Sequence, residues 1–499
     1  MFNPDDAASV SLSDRTDLNL DTAWLVGFEG ASVALSDVAL TAIEAGRAAY
    51  DDLLTAHPDR MIYGTTTGPG SRGKVQLDAN ARAGLAGTLA EYMPLGVSAG
   101  GRCLPLRTCR IIALARLSNV IGGDSKISAP LARSLADLLG SDLPCIPFDS
   151  ATGPGEVVPL SHLLRPLADH RLLPGEAMAL INGSPCASGM VTDAALTGTR
   201  RLNLAFRVFA LSIAAAGVPF EHFDPALKGV TTDPDYHTAL DRVNALLAGA
   251  PEIMCSDGQA PVSWRVLPYV LATAIHAVDW TRTVAGHALG SVADNPVYLL
   301  PDADNEHGRT VSTGGFHNHQ AGRAIDGLNA IWADLAGLAA KHVARLLDGV
   351  NIGLPPFLVP RGSNLVGMEM LAWMQQSHAE KARRSSTPAV LPLGLEDPQG
   401  GQQDVASPTF IAYERHLFAS EAFDAAIATL AIVSAQALKL TGRAPPPQVS
   451  DLYNYIFAII PGIDERSIGD LGTALTELRY AFTNGITYDN RNAAVLMNS

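Results

Sequence analysis

Between residues 325 and 346 the side chains Ile325, Leu328, Ile331, Leu335, Leu338, His342 and Leu346 recur at steps of three and four. At 3.6 residues per turn they form one stripe about six turns long. A helix of that length cannot cover its own stripe, so it belongs in a bundle. Similar stripes run through Leu202 to Ala216, Val266 to Leu289 and Phe423 to Leu440, all rich in alanine, which lets helix axes approach closely. The chain is therefore expected to be mostly α, built on a long central helical bundle. Strand signal is weak and confined to hairpin-like pieces near Trp24 to Ala34 and Val297 to Val311.

The character of the chain changes near residue 200. The expected organisation is an N-terminal tail over 1–20, a smaller mixed domain over 21–200 that carries the active-site loops, and a long-helix bundle with a C-terminal helical region over 201–499. In the mixed part, Ser36-Asp37 supplies a cap for an apolar-periodic run to about Leu54. A glycine-rich loop follows from Tyr63 to Gly73, then helices near Leu77 to Tyr92 and Arg107 to Ile121, then a loop from Pro147 to Glu156. The Pro and Gly-rich stretch Thr387 to Gly401, with Glu396-Asp397, reads as a surface or lid loop.

Composition removes several function classes. With 17% charged against 47% hydrophobic residues the 499-residue chain is globular rather than disordered. Lys and Arg number 35 against 50 acids, for a net charge of -15, so neither nucleic acid nor an anionic membrane is an expected partner. Met1 to Asp21 has no basic or apolar leader pattern, and a cytoplasmic location is expected. The longest uncharged, mostly apolar run, Ala425 to Leu438, is short of the ~20 residues that cross a bilayer. The cysteines Cys103, Cys109, Cys145, Cys186 and Cys255 are odd in number and lack C-x-x-C spacing, so they read as reduced, mostly buried thiols. His317-Asn318-His319 lacks a convincing third ligand, so no metal is expected.

The loop Tyr63-Gly64-Thr65-Thr66-Thr67-Gly68-Pro69-Gly70 cannot be helical. It would hold a tyrosine hydroxyl on a shaped backbone. A phenol so placed serves as a general base once surrounding donors or cations lower its pKa, ordinarily ~10. Anchoring a turn would use the same tyrosine.

This loop resembles the Y-G-x-N-T-G-F-G of the aromatic amino acid ammonia-lyases, above all histidine ammonia-lyase. The similarity continues in order along nearly the whole chain. Glu176 to Ser184 resembles E-G-L-A-L-x-N-G-T, Gln259 to Arg265 resembles Q-D-x-Y-S-x-R, and Asp294-Asn295-Pro296 keeps D-N-P. Thr313 to His317 is similar to G-G-N-F-H, and Gln402-Gln403-Asp404 falls where the family has Q-E-D. The resemblance implies a fold of the fumarase/aspartase-like lyase type and a homotetramer with sites shared between subunits. It implies Tyr63 as the base near the substrate β-carbon and Arg265 as partner of the carboxylate, a role suited to a bidentate fork. Asn182 and Gln259 would orient the polar groups, and Phe316 would pack beside the reacting centre. A salt bridge at a helix start would use Arg265 equally well.

Departures from the pattern bear on the chemistry. Those lyases form an electrophilic methylideneimidazolone from Ala-Ser-Gly, whereas the same frame here reads Thr152-Gly153-Pro154-Gly155-Glu156, and proline has no β-hydroxyl to eliminate. No cofactor is expected. The literal Ala187-Ser188-Gly189 reads as ordinary helix residues. The family's second tyrosine falls on Val262, its ring-contacting histidine on Met93 and its catalytic-site glutamate on Gln403. Glu156 is a candidate counter-charge for a cationic nitrogen, with loop capping as the alternative, and Phe316 and Trp264 are candidate aromatic faces. The loss of the electrophile resembles ergothionase, the cofactor-free branch, and implies a carbon–nitrogen lyase acting on a histidine-type betaine. A histidine or aromatic amino acid ammonia-lyase or aminomutase with an unrecognised electrophile, and a non-catalytic amino-acid-binding relative, are the alternatives.

Overall fold

Helix formers and small residues dominate the second half of the chain, and the stripe at 325–346 is realised as the helix His319–Asp348. Its stripe residues are buried except Leu338, which is half-buried. The computed structural model describes residues 9–78, 81–82, 87–97, 101–150, 153–251, 258–360, 362, 366–395, 403–460 and 471–484. The other alanine-rich stripes are parts of longer helices, Pro185–Ala216, Leu267–Leu289 and Thr409–Thr441. Small residues set the approach distances as expected. A Cβ on Gly189 would stand 2.8 Å from the backbone nitrogen of Ile112, so the helix Leu106–Ser118 lies directly against it. The helix Thr409–Thr441 extends well beyond the apolar run at its centre. On length and composition it would cross a bilayer, yet its most apolar stretch is largely buried in protein, as in a core helix.

The chain divides into two compact units, one of residues 1–196, 281–325 and 388–414, the other of residues 197–280, 326–387 and 415–499. The expected boundary near 200 is close to the first of these, but the remainder is not one block. The later boundaries at 280/281, 325/326 and 414/415 fall inside long helices and that at 387/388 just after the helix Glu369–Ser385, so the chain returns twice to the first unit.

Within the first unit, the supposed tail contributes a strand: Ser9–Leu12 pairs in parallel with Ser32–Leu35. Trp24 to Phe28, expected in a hairpin, belongs instead to the helix Leu20–Phe28. Asn19 starts that helix by accepting the N–H groups of Asp21 and Thr22, and Trp24 stacks on Phe28 at 4.4 Å, the i,i+4 spacing of a helix. Val297–Leu299 and Arg309–Val311 do form a hairpin. Ser36 caps the helix Asp37–Ala56 through Ala39 N–H at 3.3 Å. The helix expected over Leu77 to Tyr92 is broken at Thr88, which pairs with Arg171 and opens a separate turn, Leu89–Tyr92, through a capping box with Glu91.

Cys103 and Cys145 form a disulfide, contrary to the expectation of reduced thiols. The segments that carry them run antiparallel, with Leu104 N–H donating to Ile146 at 2.9 Å and Phe148 N–H to Arg102 at 3.0 Å, which brings the two sulfurs together. Cys109 and Cys186 are buried thiols, and Cys255 lies outside the described residues.

Candidate active site

The Tyr63 loop is tied by its own backbone. The Ile62 carbonyl accepts N–H groups from Thr65, Thr66 and Thr67 at 3.0 to 3.1 Å, a knot that requires the left-handed φ of +69° at Gly64. Tyr63 is half-buried, and its hydroxyl oxygen accepts the Gly70 N–H at 2.8 Å. Gly73 gives the ring room, since a Cβ there would stand 3.0 Å from it. The phenol is thus a fixed oxygen rather than a swinging arm. Beside it lies a residue the motif comparison missed. The Tyr92 hydroxyl is buried and has no hydrogen-bond partner among the described residues, and burial, followed by the neighbouring Tyr63, pushes this phenol well above its ordinary range. It therefore stays a hydroxyl, able to donate. Its only sequence signal was its place next to Met93, which is itself half-buried.

The Tyr63 loop packs on Met178, and four residues later the chain reaches Asn182. Arg116 donates to the Asn182 carbonyl at 2.6 Å and to Asp294 at 2.6 Å, and Asn119 donates to the same carboxylate at 3.1 Å. The Asn182 amide donates to the Asn295 carbonyl at 3.1 Å, so the D-N-P motif is the floor on which Asn182 rests. Its Oδ1 is buried with no partner among the described residues and faces Gly155, where a Cβ would come within 2.7 Å of it at a φ of +73°. Arg116 and Asp294 are both buried. Arg116→Met should cost about 3 to 5 kcal/mol of folding stability, because a buried carboxylate then lacks its counter-charge; urea denaturation of the variant measures it.

Glu156 is engaged as a helix cap. Its oxygens accept the N–H groups of Cys186 and Ala187 at 2.6 and 2.8 Å, capping the helix Pro185–Ala216. Burial pushes its carboxyl up to about 7 against the pull of those N–H groups and Arg116. Ala187-Ser188-Gly189 lies in that same helix, with the Ser188 N–H and hydroxyl both bonded to the Ser184 carbonyl at 3.0 Å. Phe316 sits half-buried in the turn Gly315–His317, which is anchored by Ser184 Oγ on the Gly315 carbonyl at 3.2 Å and by His317 on the Ala406 carbonyl at 3.1 Å. Gln403 is half-buried in the strand Gln403–Val405, paired with Leu393–Leu395. Gln402 and Glu396-Asp397 lie outside the described residues. Among the described residues no three His, Cys, Asp or Glu converge on a possible metal site.

The second unit holds the remaining candidates. Gln259 and Arg265, together with Val262, line a cavity of about 620 Å³ that Lys341 and Arg345 also enter. Arg265 is half-buried, donates from Nε to the Ala260 carbonyl at 3.0 Å, and forms no ion pair with a described carboxylate. Trp264 borders the same cavity, but it is only 1% exposed and its ring lies stacked on His342 at 4.3 Å in the core of the unit.

The sequence model of the aromatic amino acid lyases matches residues 18–172 and 167–458. The chain belongs to this family. It is a carbon–nitrogen lyase. It is 27% identical over 376 residues to a probable histidine ammonia-lyase of Thermoplasma acidophilum, covering 70% of this chain and 73% of the relative. The crystal structure of ergothionase from Treponema denticola, an ergothioneine-degrading enzyme, superposes with a TM-score of 0.81 at 20% identity, covering 98% of this chain and all of that one. Phenylalanine aminomutase of Pantoea agglomerans gives 0.83 at 19% identity over 95% of this chain and 99% of that one. These likenesses establish the helical lyase fold. The family electrophile itself does not fit the residues of this aromatic amino acid lyase: the position between Gly153 and Gly155 is a proline, which offers neither a hydroxyl to eliminate nor an N–H.

Proposed function

We propose that this lyase eliminates trimethylamine from a histidine-type betaine such as ergothioneine, without a covalent electrophile. The carrying observation is the pairing of a retained, backbone-fixed Tyr63 with a proline at the centre of the electrophile triplet. In this reading the Tyr63 oxygen takes the β-proton, the C–H electrons form the Cα–Cβ double bond, and the C–N pair leaves with neutral trimethylamine. A quaternary nitrogen needs no proton to depart and has no lone pair for an electrophile to capture. Arg265 would hold the carboxylate, Asn182 and Gln259 the polar groups, and Phe316 the ring side. The structural likeness to an ergothioneine-degrading enzyme supports the reading. The deciding assay incubates the protein with histidine, tyrosine and their trimethyl betaines, ergothioneine included, and follows the acrylate chromophore and the amine released.

Three further expectations belong to this reading. The intact mass should equal that of the unmodified polypeptide; a loss of water located at residues 150–156 or 187–189 would instead favour an ammonia-lyase or aminomutase with its own electrophile. The protein should be a homotetramer whose sites draw on more than one subunit. Support comes from the outer face of the helix Glu369–Ser385, where Met370 and Trp373 are about two-thirds exposed, at 65% and 66%, and Met374 is exposed beside them. Light scattering that finds a fully active monomer refutes it. Arg265→Ala should raise KM by the equivalent of about 2 kcal/mol, the low end for loss of a charge pair because the guanidinium is only half-buried.

A further inference from the structure

We infer that His342, which belongs to none of the family motifs, is a positioning residue that fixes Arg265 for the substrate carboxylate; the inference rests on the reading of Arg265 given above. Arg265 ends a one-turn helix, Val262–Arg265. Four residues cannot hold a helix by their own bonds; the C-terminal end of this turn runs through Val266 into the helix Leu267–Leu289, and the rest must be supported from outside the segment.

His342 supplies that support. Its Nε2 lies 3.1 Å from the carbonyl of Ser263, and since a carbonyl only accepts, Nε2 carries the proton and Nδ1 is left as an acceptor. Ser212 Oγ, 3.1 Å from Nδ1, donates to it, and the same Oγ accepts the indole N–H of Trp264 at 3.3 Å. The imidazole also stacks on the Trp264 ring at 4.3 Å with 13° between planes, and Phe209 meets it edge-on at 5.4 Å. Ser212, Trp264 and His342 are all fully buried, and burial lowers the His342 pKa to about 3, which keeps the ring neutral. One relay therefore grips both the peptide of Ser263 and the side chain of Trp264, the two residues before Arg265. Each of these polar atoms has its partner, so the relay has a single arrangement. Arg265, tethered through Nε to Ala260, is left to line the cavity shared with Gln259. His342 does not line that cavity, although its neighbour Lys341 does. Its effect on substrate has to pass through Arg265.

The test measures KM and kcat for ergothioneine and for L-histidine, which carry the same α-carboxylate, and reads whichever is turned over. His342→Leu should raise KM about ten-fold with kcat within about two-fold, because it shifts a binding group and leaves the base untouched. His342→Gln should recover most of the loss, since its amide N–H can reach the Ser263 carbonyl. In an Arg265→Gln background, His342→Leu should add nothing further to KM. An equal penalty in both backgrounds, or a fall in active fraction alone at unchanged KM, would overturn the inference. Should His342→Leu fail to fold, Ser212→Ala, which cuts the Trp264 link, carries the same comparison. Failure of the Arg265 reading shows separately, as an Arg265→Gln enzyme with the KM of the wild type.

Discussion

Tyr63→Phe should lower kcat by about 10²- to 10⁴-fold, the range that a positioned general base contributes, while substrate binding changes little. The ring stays, and with it the packing beside Gly73, so the variant loses only the oxygen that accepts the Gly70 N–H. The lost contact with Gly70 is a single neutral hydrogen bond at a half-buried site, worth about 1 kcal/mol, so the variant should fold. Calorimetric binding of ergothioneine alongside steady-state kinetics separates the two effects. A matched rise in dissociation constant and fall in kcat/KM, with kcat intact, would show that the hydroxyl binds substrate instead of taking its proton. Tyr92 offers an internal comparison. Its hydroxyl is buried beside Tyr63 and held in the protonated form, so it cannot replace the missing base, and Tyr92→Phe should leave far more activity than Tyr63→Phe.

What the sequence made legible follows from what periodicity and order can carry. The stripe at 325–346 and the Ser36 cap are local patterns, and both were read correctly because a helix needs only its own period and its own first turn. The D-N-P motif was found by order alone, and the structure supplies its reason, the support of Asn182 by Asp294, Arg116 and Asn295. Orientation was not legible. Val262, Trp264 and Arg265 follow one another in a motif, but on a one-turn helix they point different ways, so Val262 is exposed while Trp264 is core. Glu156 resembled a free carboxylate because nothing near it in sequence shows that the helix Pro185–Ala216 begins at its oxygens. Cys103 and Cys145 are 42 residues apart, and only the antiparallel pairing of their segments reveals that they meet.

Trimethylated histidine derivatives should be turned over and the corresponding primary amines should not. The expectation follows from the leaving group. An ammonium departs poorly from carbon, and the β-proton of such a substrate is only weakly acidic, so elimination needs an electrophile to draw off the amine; the Gly153-Pro154-Gly155 frame has no serine from which to make one. Quaternary nitrogen removes that need. The site must then recognise a cation that donates no hydrogen bond, while the Glu156 oxygens already accept a helix cap's N–H groups and the Trp264 ring is stacked on His342 in the core of its unit. The half-buried Phe316 is the aromatic face proposed for it, and such a face is worth about 0.5 to 2 kcal/mol to a cation of this kind. That is too little to set specificity alone, so most discrimination must arise in the bond-breaking step and appear in kcat rather than KM. A preference of about 10²-fold or more for the betaine corresponds to about 2.7 kcal/mol between the two transition states. Amine-specific detection of ammonia and trimethylamine, from histidine and ergothioneine side by side, reads it directly. Faster release of ammonia from histidine would remove the betaine reading and require an electrophile formed elsewhere in the chain.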